Sequence, residues 1–348
     1  MPAAASRRTP FVGRAQELAT LTARLAEAGQ GQGGVVLVAG EPGIGKTRLL
    51  GELTAHAAAD GWQVLTGHAY ESEGLPPYLP FIEALRGYVR TIDPDRLRSE
   101  LGSGAAQVAL LLPALHDRLG DLPTAPTLAP EQERYRLFDA LVDLLFAAAT
   151  AAAGGLLLVL EDLHWADTPS LQLLLHLVRR LAEAPMLIVL SYRTVELSRT
   201  HPLQDVLADL SRLPAVDRLR LSPLSATEAA ELVTSLVAGP AAPALLERLY
   251  AETEGNPFFL AEVVRDLQAE GYAFGAAEAR AAAWGIPEGV RQVIGRRLAR
   301  LDATANQLLS AAAVLGDRFN FDLLAAMTDG ETGTLLEAWE AALAAGVV

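Results

Sequence analysis

Between Gly40 and Thr47 the chain reads Gly-Glu-Pro-Gly-Ile-Gly-Lys-Thr, and no other stretch restricts the fold as tightly. An apolar run of buried-strand type, Val35-Val-Leu-Val-Ala39, precedes it, and a helical pattern through Leu49, Leu50 and Leu53 follows. Strand, Gly-x-x-x-x-Gly-Lys-Thr and helix in that order form a phosphate cradle. Gly43 and Gly45 allow main-chain N–H groups to turn inward and approach an anion with no Cβ in the way. The helix opening near Lys46 points its positive end at the same place. Lys46 is expected to reach the β- and γ-phosphates, and the Thr47 hydroxyl to ligate Mg²⁺. Gly40, Pro42, Ile44 and Arg48 complete the expected nucleotide-contacting loop. Lys46 is the only lysine in the chain, which makes its place in this motif more telling.

The rest of the first two thirds alternates strands with helices. Leu18, Leu21 and Leu25 mark an amphipathic helix over 13–28, and Trp62–Gly67 reads as a second strand. A Pro-rich loop at Leu75–Pro80 leads into helices broken by Pro94, Gly102, Gly104 and Pro113, and Pro123, Pro126 and Pro130 mark an exposed loop. A helix over 131–152 enters a strand at Gly155–Leu160. Thr168 is expected to cap the next helix with Pro169 in its first turn. Met186–Ser191 and Val216–Leu221 read as a fourth and a fifth strand. Such alternation implies an α/β fold with a parallel sheet between helices. Beyond about Pro223 the strand signal stops: 225–285 reads as short helices, and 287–345 as further helices around a small Phe319-Asn-Phe321 element. No internal repeat is visible.

At 348 residues the chain implies two or three packed units. With 51% hydrophobic residues most of it is expected to fold, the start at 1–10 being the exception. It has no signal-peptide core and no uninterrupted apolar stretch of about 20 residues, so it reads as soluble with no membrane association. No cysteine is present, which excludes disulfides and thiolate metal sites and fits the cytoplasm. A formal charge of −14 argues against the chain as a whole coating nucleic acid. Arg291, Arg296, Arg297 and Arg300 form a basic stretch, but Val290, Val293, Ile294, Leu298 and Leu301 make it an ordinary amphipathic helix.

A phosphate loop needs an acidic group at the end of a neighbouring strand to hold the metal. Leu156–Leu160 followed by Glu161-Asp162 supplies it. By position Glu161 faces the metal and Asp162 orients or deprotonates the attacking water, although the two could exchange duties. Arg193, closing Ile188-Val-Leu-Ser-Tyr-Arg193, is placed to sense the γ-phosphate by charge-assisted hydrogen bonding. His164 reads as a structural or surface histidine and Asp167 as a helix-start residue. The Asn-Lys-x-Asp element with which small GTPases read guanine cannot exist with Lys46 as the only lysine. ATP is therefore the expected nucleotide, its adenine held by apolar and backbone contacts.

Taken together, Phe11-Val-Gly-Arg14, the phosphate loop, Leu158-Val-Leu-Glu-Asp-Leu-His-Trp-Ala-Asp167, Ser191-Tyr-Arg193, Leu221-Ser-Pro-Leu224 and Gly255-Asn-Pro-Phe-Phe-Leu260 resemble the STAND class of signal-transduction ATPases. The likeness is greatest to the ATPase region of the large LuxR-type transcriptional regulators of bacteria, and it runs over residues 10–345. The resemblance implies a P-loop domain at 11–223, a helical lid at 224–285 and a winged-helix-like all-α segment at 286–348. It also implies a switch in which ADP holds a closed resting form, whereas an inducer and ATP favour an open, self-associating one. By the same likeness Val12 and Arg14 lie near the adenine, Pro257 brings the lid against base or ribose, and Arg193 is the γ-phosphate sensor. Members of this class carry a helical-repeat sensor and a DNA-binding helix-turn-helix, neither of which is seen here. The chain is accordingly expected to be a truncated piece of a longer protein that meets DNA only through that missing domain.

Two other classes stay open at this stage. An AAA+-like motor loading on DNA would use a trans arginine finger and a basic inner surface, against which the acidic balance speaks. A small-molecule kinase would hold its acceptor in the Pro-rich region 71–130.

Overall fold

The computed structural model describes residues 10–275 apart from 73, 121, 123–128, 183, 198, 199, 214 and 270, and further on residues 295, 298, 299, 301–315, 321–328 and 332–344. The N-terminal residues expected to be disordered fall outside this set up to position 9, as do Arg291, Arg296, Arg297 and Arg300 of the basic stretch.

Five strands form one sheet: β1 (Gly34–Ala39), β2 (Gln63–His68), β3 (Leu156–Glu161), β4 (Met186–Tyr192) and β5 (Val216–Arg220). Their spatial order is β2-β3-β4-β1-β5 and every pairing is parallel. Because β1, β3 and β4 are covered on both faces, each reads as a continuous apolar run and each is fully buried. The period of two still divides them. Val35, Leu37, Leu158 and Ile188 face one core, and Val36, Val38, Val159 and Val189 face the other. The edge strand β5 is half exposed and carries Asp217, Arg218 and Arg220, which discourage pairing with another chain.

Helices α1 (Ala15–Gly29) and α2 (Lys46–Ala59) cover one face, α1 burying Leu21, Leu25 and Ala28. The other face is covered by α3 (Leu79–Thr91), α4 (Pro94–Leu101), α5 (Ala105–Leu111), α6 (Ala114–Leu119), α7 (Pro130–Ala151), α8 (Thr168–Arg179) and α9 (Pro202–Leu210). The breaks expected at Pro94, Gly102–Gly104 and Pro113 are the joints between α3 and α6. At the first of them Asp93 caps α4 by accepting from the N–H groups of Asp95 and Arg96, with Pro94 in the first turn. One expectation is corrected: α8 is capped by Asp167, whose carboxylate accepts from Ser170 N at 2.8 Å, and Thr168 is already inside the helix. A carboxylate at this position also favours the dipole.

Beyond the sheet, α10 (Ala226–Val237), α11 (Pro243–Thr253) and α12 (Pro257–Ala269) pack around their own core of Leu232, Leu249, Leu260 and Val264. Ser225 and Glu228 form a reciprocal capping box at the start of α10. A further trio of helices, Ala303–Leu315, Phe321–Thr328 and Thr332–Ala344, closes on Ala305, Leu308, Leu324 and Leu335. Of the small Phe319-Asn-Phe321 element only Phe321 is described, as the first residue of a helix. Among the described residues no helix is long and apolar enough to cross a membrane.

The end of β2 lies directly under α3. A Cβ placed on Gly67 would sit 1.8 Å from the Pro80 carbonyl oxygen, a backbone atom that cannot swing aside. Gly67→Ala is therefore expected to lower unfolding free energy by about 2 kcal/mol or more, as overpacked sites do. Urea titration followed by circular dichroism measures it, and an unchanged midpoint would contradict the packing of α3 on β2.

Candidate functional site

In an open parallel sheet ligands bind beyond the carboxyl ends of the strands, where neighbouring connections leave in opposite directions. Here β1 is flanked by β4 and β5, and β3 lies beyond β4. The loop after β1, the acidic pair ending β3 and the residues closing β4 therefore converge on one edge.

The loop Gly40–Gly45 turns from β1 into α2. Gly43 (φ 80°) and Gly45 (φ 102°) adopt the left-handed backbone that favours glycine. The two glycines differ in what they make room for. A Cβ on Gly45 would meet only Pro257 Cγ at 3.9 Å, whereas one on Gly43 would strike Phe258 Cβ at 2.8 Å and Asn256 Oδ1 at 3.0 Å. The space at Gly43 is thus demanded by the turn entering α12 as well as by access for an anion. Ile44 is buried in the core beneath α2, so its side chain anchors the loop and only its main chain faces outward. Gly40 admits that side chain: a Cβ there would lie 2.9 Å from Ile44 Cγ2.

Lys46 bends back across the loop and donates to the carbonyls of Gly40 at 2.9 Å and Glu41 at 3.0 Å. It is only 7% exposed. Burial, reinforced by the nearby Arg193 cation, brings its ammonium down to a pKa of about 8, and the acids Asp162, Glu196 and Glu161 only partly oppose this. A second cation close enough to depress a buried ammonium favours a neighbouring anion.

The Thr47 hydroxyl donates to Glu161 Oε2 at 2.6 Å, which brings together the two groups expected to hold a metal. Burial raises the Glu161 pKa, while the Thr47 hydrogen bond and the charges of His68 and Lys46 pull the other way. His68, at the end of β2, sits 3.5 Å from Glu161 Oε1 and 3.3 Å from Glu83 Oε2. Asp162 takes a left-handed conformation (φ 56°), its N–H donating to Ser191 Oγ at 3.0 Å. These are hard oxygen donors, and they fit magnesium. Among the described residues no group of three or more His, Cys, Asp or Glu side chains is arranged to hold a metal ion by itself. A cation here would thus depend on ligand phosphates and water for the rest of its coordination.

A cavity of about 200 Å³ opens beside the loop, lined by Phe11, Val12, Gly45, Leu232 and Pro257 among others. Val12 and Pro257, which the resemblance assigns to the base, thus line one cavity. Arg14 lines the same cavity, but its guanidinium is engaged otherwise. It donates to the carbonyls of Ile44 (3.2 Å) and Ser222 (2.6 Å) and pairs with Glu17 (2.9 Å), tying the N-terminal segment to the loop and to the start of the helical unit. Arg48 pairs with Glu52 and lies over the Phe11 ring, 5.3 Å from its centre. Sequence reasoning did not find Asn256. Its Nδ2 donates to the Pro42 carbonyl at 3.1 Å, its Oδ1 accepts from Phe258 N at 3.1 Å, and Phe258 N also reaches the Gly43 carbonyl at 3.3 Å. Nor did it find Glu196, which accepts from Arg193 Nη1 at 2.6 Å. Of these contacts only that of Asn256 with Pro42 joins residues far apart in the chain.

The model of the AAA ATPase domain matches residues 10–189. An uncharacterized protein of Rhizobium meliloti (strain 1021) is 28% identical over 91% of this chain, and the chain spans about a third of that relative, 31% of its length. Among solved structures, the Walker-type ATPase of Pyrococcus abyssi is similar at 17% identity and a TM-score of 0.52, with 98% of this chain and 97% of that one covered. A signal-transduction ATPase with numerous domains and a tetratricopeptide repeat sensor, from Pyrococcus horikoshii, has 16% identity and a TM-score of 0.44 over 98% of this chain and 41% of its own.

The lowered pKa of Lys46 has a definite sign in binding. Below about pH 8 its ammonium is charged and available to an anion. Above it the site must take up a proton to bind, so affinity falls by up to about tenfold per pH unit until the pKa of the complex is reached. ADP is a suitable probe because its phosphates are already ionised in this range. Calorimetry in buffers of different ionisation heat is expected to find proton uptake at pH 9 and little at pH 7. Lys46→Arg should abolish the dependence, and a flat profile in the unaltered protein would take Lys46 out of the site.

Proposed function

The chain belongs to the AAA ATPase domain family, and on that premise we propose that it is a regulatory ATP-binding switch with slow hydrolysis, of the STAND type found in large LuxR-family regulators. Residues 11–223 act as the nucleotide-binding unit, 224–285 as its lid and 286–348 as a winged-helix-like unit. One observation carries the reading. The lid is hydrogen-bonded to the phosphate loop itself, through Asn256 Nδ2 to Pro42 O and Phe258 N to Gly43 O. A ligand seated between the two bodies cannot alter the loop without altering the footing of the lid. That geometry suits a protein whose output is a conformation, where differential affinity matters more than turnover.

The nucleotide lies with its base in the cavity between Val12 and Pro257 and its phosphates in the loop. The cavity is small for a ligand pocket, which suits a base whose phosphate tail lies outside it. Main-chain N–H groups of Gly43–Thr47 and the Lys46 ammonium hold the phosphates. Thr47 and Glu161 would hold magnesium, which would supply positive charge against the phosphates and favour their ionised form. Asp162, one residue beyond the metal side, accepts a proton from the attacking water or orients it. Arg193 meets the charge of the terminal phosphate. Signal-driven opening then exposes surfaces for self-association, and any contact with DNA belongs to a domain outside this chain.

Purified protein is expected to carry ADP and to run as a monomer. A non-hydrolysable ATP analogue should convert it to a larger species in light scattering. Lys46→Ala is expected to abolish nucleotide retention. Asp162→Asn should keep nucleotide binding within about twofold while slowing phosphate release by 10²-fold or more, the usual scale of a lost general base. Unchanged phosphate release in that variant would remove Asp162 from the mechanism, and identical assembly size in both nucleotides would reject the switch.

A further inference from the structure

The segment leaving β4 gathers side chains whose arrangement the phosphate loop does not explain. Besides its 2.6 Å bond to Glu196 Oε1, the Arg193 guanidinium lies 4.7 Å from the centre of the Trp165 ring, within cation–π range. The other Glu196 oxygen is 3.2 Å from Nε2 of His164, whose side chain is wholly buried. The His164 and Trp165 rings are 4.5 Å apart, so the imidazole backs both the carboxylate and the indole. Burial alone would raise the Glu196 pKa, but His164 and Arg193 bring it down to about 2, and it is ionised at neutral pH.

The guanidinium is thus held on two sides, and one of its donors is left unsatisfied. Its Nε is buried without a hydrogen-bond partner, and Asp162 Oδ1, 3.9 Å from it, is beyond hydrogen-bond reach. A buried N–H left without an acceptor is costly, and it marks the direction from which an acceptor would relieve it. Asp162 directly follows Glu161, which accepts from Thr47 at the end of the phosphate loop, so Arg193 borders the same space as that loop. β4 lies between β3 and β1. In a phosphate chain running from the lid cavity through the loop, the last phosphate is therefore the one nearest Arg193.

We propose that Glu196 and Trp165 are positioning residues that hold the Arg193 guanidinium at the phosphate end of the site, and that the terminal phosphate of a nucleoside triphosphate competes with Glu196 for it. The proposal rests on the ATPase reading above. A diphosphate leaves the Arg193–Glu196 pair intact. A triphosphate draws the guanidinium toward itself, off the Trp165 face, and frees Glu196. The clamp therefore sets how strongly the site distinguishes the two nucleotides, and Trp165 reports which partner Arg193 has.

The test measures equilibrium binding of ADP and of a non-hydrolysable ATP analogue, both with magnesium, to the full chain and to its Glu196→Gln and Trp165→Phe variants. Glu196→Gln removes the competing charge and is expected to raise affinity for the analogue relative to ADP by about fivefold or more, the lower end of ordinary coupling between sites. The full chain is expected to change its tryptophan emission with the analogue and not with ADP, and Trp165→Phe to lose that change while still binding both. A ratio that is unchanged or lowered in Glu196→Gln overturns the proposal, as does an emission change equal for both nucleotides. If Glu196→Gln fails to fold, the emission result alone decides. Binding of neither nucleotide by the full chain would instead reject the ATPase reading, so the two failures are distinct.

Discussion

A single ammonium group, buried at the turn from β1 into α2, needs compensation that its surroundings supply only in part. Lys46 finds two carbonyl oxygens, those of Gly40 and Glu41, and neutral acceptors do not replace the solvation of a charge. Glu161, at the end of β3, is committed to Thr47, and the Arg193 charge further opposes the Lys46 ammonium. The sheet enforces this crowding. With β4 seated between β1 and β3, the groups ending these strands cannot separate without breaking the ladder that buries Val36, Val159 and Val189. The fold's most hydrophobic layer thus holds its least comfortable charges, and a polyanion relieves them.

The same loop fixes the helical unit behind it. Gly43 makes room for Asn256 and Phe258, and Gly255 (φ 74°) lets its own backbone meet Leu224, whose N–H donates to the Gly255 carbonyl at 2.9 Å. On the other side Gly13 (φ 69°) brings the N-terminal segment against Glu228 and Leu224. Three glycines far apart in sequence therefore serve one junction, where the loop, the N-terminal segment and the helical unit approach closely at the glycine positions.

Much of this was legible because it is local. The octapeptide, its flanking strand and helix, and the acid pair after an apolar run are patterns whose meaning lies within about ten residues, and all five strands stand where the apolar runs put them. At the start of α8 both Thr168, as cap, and Asp167, as helix-start residue, were named from the sequence; both are competent, and the backbone turn chooses Asp167. The roles of Arg14 and Ile44 were harder to see. Each sits in a recognisable motif, yet Arg14 turns to the carbonyls of Ile44 and Ser222, and Ile44 turns into the core. His68 and Glu196 had no signal, and Asn256 was legible only as part of the Gly255–Leu260 motif, not by its bond to Pro42. Glu196 has a local partner in Arg193, but His68 and Asn256 reach Glu161 and Pro42 only in the folded chain.

If the chain is a switch, its two nucleotide states must differ in contacts, since a ligand moves an equilibrium only by its differential affinity. ADP and ATP share a base and differ at the phosphate end, so the cavity beside Val12 and Pro257 cannot by itself tell them apart. The bonds of the lid go to Pro42 and Gly43, in the first half of the loop, whereas Arg193 and Glu196 stand beside the strand ends at its far side. On the proposed reading, discrimination and response belong to different elements, joined by the loop that would bend around the phosphates. A change in the partner of Arg193 reaches the lid only by shifting that loop or its ligand. The glycines that let the loop approach an anion are also what let the lid rest on it.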